Sequence, residues 1–191
     1  NIIMQLINNS NYSYWELKQY FEKFDLIVIG SGIVGLSAAL SFKQNNKKAK
    51  VLILERGIIP SGASSKNAGF ACFGSAGELL DDLQNMPEHV VWETVRMRWE
   101  GLKMLRKRLG DRTIAYKQSG GYELFTKQAD YKETCQKLSG LNTKMNEILG
   151  LKNCFEISKQ SKIFNKINGT ILNRFEGEIN TGIMMDALTR L

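Results

Sequence analysis

A short apolar run that leads into a glycine-rich turn constrains this chain more than any other feature. Four apolar residues, Leu26–Ile29, are followed by Gly30, Gly32 and Gly35 in the spacing G-x-G-x-x-G. The unbroken apolar run predicts a strand buried on both faces. The glycines permit a tight turn, a close approach of a pyrophosphate to the backbone, and close packing of the next helix on the strand. The N–H groups and the dipole of that helix then point at the phosphates.

The residues after the glycines complete a βαβ unit. Residues 33–42 place apolar side chains at helical spacing, polar residues 44–48 end the helix, and a second apolar run, Val51–Leu54, predicts the next strand. That strand ends in Glu55, at about the 20-residue distance where an acidic side chain binds a ribose hydroxyl. Glycine spacing alone is weak evidence, so this context is what indicates a nucleotide. The carboxylate favours a free 2′-hydroxyl over a 2′-phosphate, a preference that Arg56 weakens slightly.

Composition and cysteine usage exclude several classes of protein. The chain has 191 residues, 43% of them apolar, enough for one domain or for a domain and part of another. No apolar run reaches the length of a membrane span, and residues 1–9 lack the basic flank and cleavage site of a signal peptide. Three cysteines without C-x-x-C spacing predict neither a disulfide framework nor a zinc site. We therefore expect a protein of a reducing compartment, the cytoplasm.

The basic charge and the lone histidine carry less functional information. His89 is the only histidine, which excludes a His–His metal site and leaves any Ser-His-Asp or Cys-His triad one possible base, and we expect it at the surface. The net charge of +7 is densest between Arg96 and Arg112 and could attract nucleic acid or an acidic membrane surface. We favour a solvated helix face, because no nucleic-acid motif accompanies it. An apolar stripe runs along the same segment: Val91, Val95, Leu102, Leu105 and Leu109.

The remaining elements are expected to be mixed helices and strands. Ser13 and Glu16 form a capping box for a first helix whose aromatic residues dock it on the fold. A loop of small and polar residues follows Glu55, and the apolar residues 70–74 after it should be buried. We then expect helices at 75–84 and 87–109, a hairpin of 113–117 and 121–126, a helical segment at 127–149 interrupted at Ser139 and Gly140, strands at 155–157 and 170–173, and a short helix around 186–188.

Several of these stretches resemble the N-terminal part of the FAD-dependent oxidoreductases of the D-amino-acid-oxidase (DAO) type. The resemblance rests on residues 25–39, on Val51–Arg56, on the loop Gly62–Gly69 and, more weakly, on Gly120–Phe125. Glu176–Gly182 resembles the family's return to the nucleotide domain. The resemblance implies an α/β fold: a Rossmann-like, glutathione-reductase-like βαβ unit that binds FAD, with part of a mixed α+β substrate domain. The corresponding ranges are 1–80 for the FAD-binding part, 81–175 for the substrate part and 176–191 for the return segment.

The resemblance also implies which residues bind FAD. It implies that the glycine turn binds the pyrophosphate and that Glu55, with Arg56 beside it, binds the adenosine ribose. Residues of the following loop line the pyrophosphate and ring region. Cys72 lies beyond that loop, which has no histidine, and we do not expect a covalent flavin. The implied residues are Gly30, Ser31, Gly32, Ile33, Val34, Gly35, Glu55, Arg56, Ser64, Ser65, Asn67 and Ala68.

For a whole enzyme of this type, the implied reaction is oxidation of a C–N bond in an amino acid or secondary amine, with hydride transfer to FAD. Catalytic residues cannot be assigned, because family members are much longer and carry most substrate-binding groups in their second half. We therefore expect the chain to be an N-terminal fragment. Two alternatives stay open: an NAD-dependent dehydrogenase, which predicts another βα repeat soon after Glu55, and a non-catalytic nucleotide-binding module.

Overall fold

The computed structural model of the chain describes residues 12–20, 23–159 and 166–191. The chain divides into two compact units. The first comprises the described residues up to Gly62, together with Leu191, and the second runs from Ala63 to Arg190. Among the described residues, no helix is long and apolar enough to cross a membrane.

The first unit is the predicted βαβ arrangement preceded by a helix. Its elements are α1 (Tyr14–Tyr20), β1 (Leu26–Ile29), α2 (Ile33–Asn45) and β2 (Val51–Leu54). The two strands pair in parallel, with Leu26 opposite Val51 and Ile29 opposite Leu54. Residues Leu36 and Ala39 of α2 are buried, so the helix covers one face of the sheet. The strand bounds and the crossover helix agree with the sequence prediction.

The other face of this two-stranded sheet is exposed. The side chain of Ile27 is 53% exposed and that of Ile29 is 87% exposed, whereas the alternate residues of β1 are partly buried. The prediction that β1 is buried on both faces is therefore wrong for this chain. An apolar run predicts burial only when elements cover both faces, and the described residues of the first unit cover one.

Helix α1 begins with the predicted capping box. The Ser13 N–H donates to Glu16 Oε2 at 2.8 Å, and the Glu16 N–H donates to Ser13 Oγ at 3.2 Å. The expected docking by aromatic residues is wrong for Tyr14 and Trp15, which are 66% and 71% exposed and stack edge-on against each other. The side chains of Tyr20 and Phe21 lie outside the described part of the chain.

The described residues of the second unit form four helices and two small antiparallel sheets. In the larger sheet, β6 (Gly169–Asn173) is central and is flanked by β4 (Gly121–Phe125) and β5 (Phe155–Ser158); in the smaller sheet, β3 (Phe70–Ala71) pairs with β7 (Gly177–Glu178). The buried side chains between the larger sheet and the helices form one core, with the rings of Phe73 and Trp99 in edge contact. The elements are β3 (Phe70–Ala71), α3 (Ala76–Asn85), α4 (Glu88–Leu109), β4 (Gly121–Phe125), α5 (Gln128–Leu149), β5 (Phe155–Ser158), β6 (Gly169–Asn173), β7 (Gly177–Glu178) and α6 (Thr181–Thr189).

Three sequence predictions fail in this unit. Residues 113–115 form turns and Lys117 makes an isolated antiparallel bridge with Glu178, so the predicted hairpin does not form: Ala115 adopts a positive φ of 52°, and β4 takes β6 as its partner instead. Helix α5 continues through Ser139 and Gly140, since the buried residues on either side, Leu138 and Leu141, hold both halves on the core. Phe70 is 76% exposed, although residues 71 and 73 of the same apolar segment are buried.

The basic helix α4 is the solvated helix that the sequence favours. Val91 and Val95 are buried, and Glu93 and Glu100 pair with cations three residues along. The Arg96–Glu93 and Lys103–Glu100 separations are 2.7 Å and 2.6 Å. His89 is exposed, as expected. The apolar stripe predicted from the sequence did not include Trp99, which contributes one of the largest buried side chains on the core-facing side of α4.

Candidate functional site

The glycine turn of the first unit is built as a nucleotide-binding turn requires. Gly30 has a φ of 94°, which favours glycine, and its N–H donates to the Leu54 carbonyl at 2.7 Å. Gly32 is the N-cap of α2 and offers no side chain to cover the first turn of the helix. A Cβ on Gly35 would overlap the Gly30 carbonyl oxygen, so only glycine lets α2 start this close to β1. The three positions therefore serve three different steric requirements.

Glu55 lies at the same edge and is held there by the turn. Its Oε2 accepts hydrogen bonds from the Ser31 N–H and the Ser31 hydroxyl, both at 2.8 Å, and its Oε1 accepts one from the Gly57 N–H at 3.0 Å. These donors, led by the Ser31 N–H, lower the pKa of Glu55 to about 2. The carboxylate is thus ionised at neutral pH while remaining accessible to solvent.

The structure brings eight of the predicted residues together at the carboxyl ends of β1 and β2. This edge offers an exposed ionised carboxylate for a diol and, beside it, the uncapped first turn of a helix for a phosphate. The residues present therefore fit the ADP portion of a dinucleotide. The contact of Ser31 with Glu55 has no signature in the sequence, because residues 24 positions apart show no local pattern. The eight residues are Gly30, Ser31, Gly32, Ile33, Val34, Gly35, Glu55 and Arg56.

The other four predicted residues, Ser64, Ser65, Asn67 and Ala68, lie in the loop that opens the second unit. The Asn67 side chain is used within the loop: its Nδ2 donates to the Ala63 carbonyl at 2.9 Å and its Oδ1 accepts from the Gly69 N–H at 2.9 Å. Gly69 is buried with a φ of 78°, and its carbonyl accepts the Ile179 N–H at 2.8 Å. Asn67 therefore shapes the loop, a role that the sequence did not reveal.

A cavity of about 560 Å³ in the second unit contains groups that sequence analysis missed. Its apolar side chains include Phe70, Tyr122 and Leu124, and its acidic ones include Glu123 and Glu176. Among the residues that the structure describes, no cluster of three or more His, Cys, Asp or Glu could hold a metal ion.

The two carboxyl groups of this cavity also support the backbone around it. Oε1 of Glu176 accepts the Phe73 N–H at 3.0 Å and the Gly74 N–H at 3.1 Å, and Glu123 accepts the Gly77 N–H at 2.9 Å. Burial raises the pKa of both carboxyl groups above the ordinary value for glutamate. Glu176 is only 6% exposed. No local motif predicts these contacts, since Glu176 lies about a hundred positions from its partners.

Comparison with known proteins agrees with this geometry. The family model for FAD dependent oxidoreductases, DAO, matches residues 25–191. The chain belongs to this family. The match confirms the resemblance inferred from the glycine turn, the acidic strand end and the loop, and with it the expected fold class of a partial α/β domain. Curated protein sequences contain no significant match to this DAO-family chain.

Solved structures share the fold at low sequence identity. Glycine oxidase from Bacillus cereus ATCC 14579 is 22% identical with a TM-score of 0.56, over 88% of this chain and 44% of that one. L-amino acid deaminase from Proteus vulgaris is 17% identical, with a TM-score of 0.58, and the match covers 88% of this chain and 38% of that one. L-proline dehydrogenase from P. horikoshii is 16% identical, with a TM-score of 0.59, and the match covers 88% of this chain and 41% of that one. The DAO-family chain thus spans less than half the length of each.

Proposed function

We propose that this chain binds FAD through the glycine turn and Glu55, as part of an oxidoreductase that acts on an amino acid or a secondary amine. The observation that carries the proposal is the ionised Glu55 carboxylate, fixed by Ser31 beside the uncapped start of α2. An ionised carboxylate accepts both hydroxyls of an adenosine ribose and repels a 2′-phosphate. FAD has the free diol, and the DAO family is defined by FAD dependence.

Each residue of the turn has a proposed part in holding the ADP portion. The backbone of residues Gly32–Gly35 faces the pyrophosphate, with the positive end of the α2 dipole behind it. Ser31 contributes by positioning Glu55, since its N–H is already donated to that carboxylate. Arg56 follows Glu55, and its backbone N–H also helps to lower the Glu55 pKa. The turn therefore holds the nucleotide through backbone groups and a single acid.

The loop at the start of the second unit is proposed to line the pyrophosphate and ring region of FAD. The Asn67 side chain bonds within the loop, and we propose that the loop backbone and the small residues Ser64, Ser65 and Ala68 lie along the cofactor. The proposed organisation keeps residues 1–80 as the FAD-binding part, 81–175 as the substrate part and 176–191 as the return segment.

FAD, when bound, supplies the chemistry by accepting a hydride from the substrate carbon. The residues of this chain bind and orient it. The names of the structural neighbours, which include glycine oxidase and L-proline dehydrogenase, support an amino acid or amine as substrate. Because those enzymes are more than twice as long as the region that matches, the oxidation is proposed for a protein that also contains their remaining length, and FAD binding is proposed for this chain.

The two alternatives differ in what they require of the chain. An NAD-dependent dehydrogenase would continue after Glu55 with another parallel βα repeat, but the described residues continue with a loop and the antiparallel strand β3. The non-catalytic nucleotide-binding module has the same βαβ unit and differs only in lacking turnover. FAD dependence of the family favours an oxidoreductase over both.

Two measurements test the proposal in sequence. The purified chain is mixed with FAD or with NADH, and free nucleotide is removed by gel filtration. Retention of visible flavin absorption, with no retention of NADH, supports FAD binding, and the reverse result rejects it. A protein that includes the remaining length of the family is then mixed anaerobically with glycine, sarcosine or L-proline. Bleaching of the flavin band supports the oxidoreductase, whereas bound FAD that no amine or amino acid reduces supports the non-catalytic module.

A further inference from the structure

The cavity of about 560 Å³ in the second unit is acidic, although the chain as a whole is basic. Four of its described lining residues are glutamates, and none of the described ones is Lys, Arg or His. The chain carries a net charge of +7, so this acidity is local to the cavity. The volume lies in the range of sites for small organic molecules. The four acidic residues are Glu78, Glu123, Glu176 and Glu178.

Two of these carboxylates are already neutralised by cations of this chain, and two are not. Glu78 pairs with Arg98 at 3.0 Å, and Glu178 pairs with Lys117 at 3.8 Å. Within the described part of the chain, the other two form no ion pair: Glu123 and Glu176. Only this second pair of carboxylates therefore leaves a negative charge in the cavity without compensation.

Glu176 directs one of its two carboxylate oxygens into the cavity. The residue is 6% exposed, and its Oε1 accepts the N–H groups of Phe73 and Gly74, but no described residue donates to its Oε2. Oε2 is not sealed off, since among the described side chains only the Tyr116 hydroxyl is both buried from solvent and without a partner. Oε2 lies against the backbone of Gly121, another residue of the cavity wall, where a side chain would overlap it. A buried acid thus presents an unpartnered oxygen to a ligand.

Glu123 adds a second uncompensated carboxylate to the same cavity. It accepts the Gly77 N–H at 2.9 Å and has no cation beside it among the described residues. Burial raises the pKa of both carboxyl groups, and the charges of Glu78 and Glu123 raise that of Glu176 further. A buried charge without a partner costs free energy. A cation in the cavity offsets that cost for both acids.

The other walls of the cavity are apolar and suit a hydrocarbon chain. Phe70, Tyr122 and Leu124 line the cavity and are 76%, 41% and 42% exposed. The faces of aromatic rings also attract an ammonium group. A ligand that satisfies both kinds of wall carries a positive charge at one end and an apolar chain at the other.

We propose that this cavity binds a small aliphatic ammonium ion, with the cationic nitrogen at Oε2 of Glu176 and the hydrocarbon chain along Tyr122 and Leu124. The nitrogen donates to the free carboxylate oxygen, and its charge also compensates Glu123. A ligand that carries a carboxylate in place of the ammonium group is repelled by the same two acids. The site lies wholly within the second unit, so it depends neither on FAD binding nor on the proposed oxidation.

The first test titrates the chain, without FAD, with three ligands of the same chain length and different charge. Butylammonium is the cation, butyrate the anion and 1-butanol the neutral molecule, and physiological salt screens attraction to acids on the surface. Backbone amide signals in NMR spectra report binding. Butylammonium should shift the signals of Gly121 and Tyr122 to saturation, whereas butyrate and butanol should not.

The second test removes the charge from each acid in turn. Glu176→Gln keeps an acceptor oxygen for the Phe73 and Gly74 N–H groups, and it should weaken butylammonium binding about tenfold or more. Glu123→Gln leaves that backbone support untouched and should also weaken binding. Glu147→Gln is the matched control, because it changes the net charge equally at an exposed position of α5 that is paired with Lys144. It should bind butylammonium as the unaltered chain does.

Three results overturn the proposal. The first is the absence of saturable butylammonium binding by the unaltered chain. The second is binding of butanol or butyrate as tight as that of butylammonium, which would mean that the cavity does not select a cation. The third is butylammonium binding that neither Glu176→Gln nor Glu123→Gln weakens, which would place the cation at another acidic surface. A chain that fails to bind FAD but binds butylammonium in the expected way rejects the proposed cofactor site and supports this one.

Discussion

Glu55 and Ser31 are joined by two hydrogen bonds to a single carboxylate oxygen, one from the Ser31 N–H and one from its hydroxyl, each at 2.8 Å. The two residues belong to the ends of different strands, so this contact fixes the acid beside the glycine turn before any nucleotide arrives. Because both groups donate, they favour the ionised carboxylate and lower its pKa. The site is therefore preorganised, which reduces the ordering cost of binding.

Replacing Glu55 with glutamine should weaken FAD binding by about tenfold, because the ribose hydroxyls lose a charged acceptor. Titration of flavin fluorescence with the chain measures the change. Asp25→Asn is the control, since the Asp25 carboxylate accepts the Lys50 N–H at 2.7 Å at the other end of the same two strands. Its FAD affinity should match that of the unaltered chain. Equal FAD affinity in Glu55→Gln would contradict a role for this acid in ribose binding.

Replacing Ser31 with alanine should raise the pKa of Glu55 from about 2 towards its ordinary value of 4.5. The hydroxyl bond is lost, whereas the backbone N–H bond remains. Since the folded-state pKa lies below the ordinary value, the stabilisation from these bonds is present above pH 4.5 and is lost as the pH falls from 4.5 to about 2. NMR titration of the Glu55 carboxyl carbon gives the midpoint. An unchanged midpoint would show that the hydroxyl does not stabilise the carboxylate.

The first unit could be predicted well from the sequence and the second only in part. The turn at Gly30 and the acid at Glu55 follow from local spacing, because strand, turn and helix each have a signature within a few residues. The support of the Gly74 backbone by Glu176 has no such signature, since it depends on how distant segments pack. The burial of Ile29 expected from the apolar run was wrong for the same reason: an apolar side chain shows that it can be buried, not that something covers it.

Glu176→Ala should destabilise the second unit by about 2–4 kcal/mol, because the N–H groups of Phe73 and Gly74 lose their acceptor in a buried place. Glu176→Gln keeps an acceptor oxygen at that position and should cost less. Urea unfolding followed by tryptophan fluorescence measures both, since Trp92 and Trp99 lie in this core. Glu178→Gln, at an exposed neighbouring position, is the control. Similar losses for the alanine and glutamine variants would contradict the hydrogen-bond argument.

The stability of the Glu176 variants should also depend on pH in a defined direction. Burial raises the pKa of this carboxyl group, so its protonated form is the one that the folded state prefers. The stabilisation that comes from protonated Glu176 is fully present below the ordinary pKa of 4.5, and it is lost as the pH rises through the raised pKa of the folded state. Glu176→Gln cannot ionise, and its unfolding free energy should fall less than that of the unaltered chain between pH 4.5 and neutral pH. A larger fall of the unfolding free energy in Glu176→Gln would show that folding lowers, rather than raises, the pKa of Glu176.

Gly35→Ala should disrupt the nucleotide turn, because the added Cβ would overlap the Gly30 carbonyl oxygen and press on Val28. Strand β1 and helix α2 must then separate, at a cost of about 2 kcal/mol in the first unit. Hydrogen exchange measured by mass spectrometry should become faster over residues 26–54, and FAD retention should be lost.

Gly140→Ala is the matched control, because Gly140 is also a helical glycine, lies far from the glycine turn in sequence, and a Cβ there meets nothing within 4 Å. It should leave both the exchange rates and FAD retention unchanged, since the backbone there can accept a methyl group without moving. If Gly35→Ala behaved in the same way, the close approach of α2 to β1 would be unnecessary for binding. FAD would then have to be held mainly by groups outside the glycine turn. Full FAD retention in Gly35→Ala, together with weakened FAD binding in Glu55→Gln, would show this.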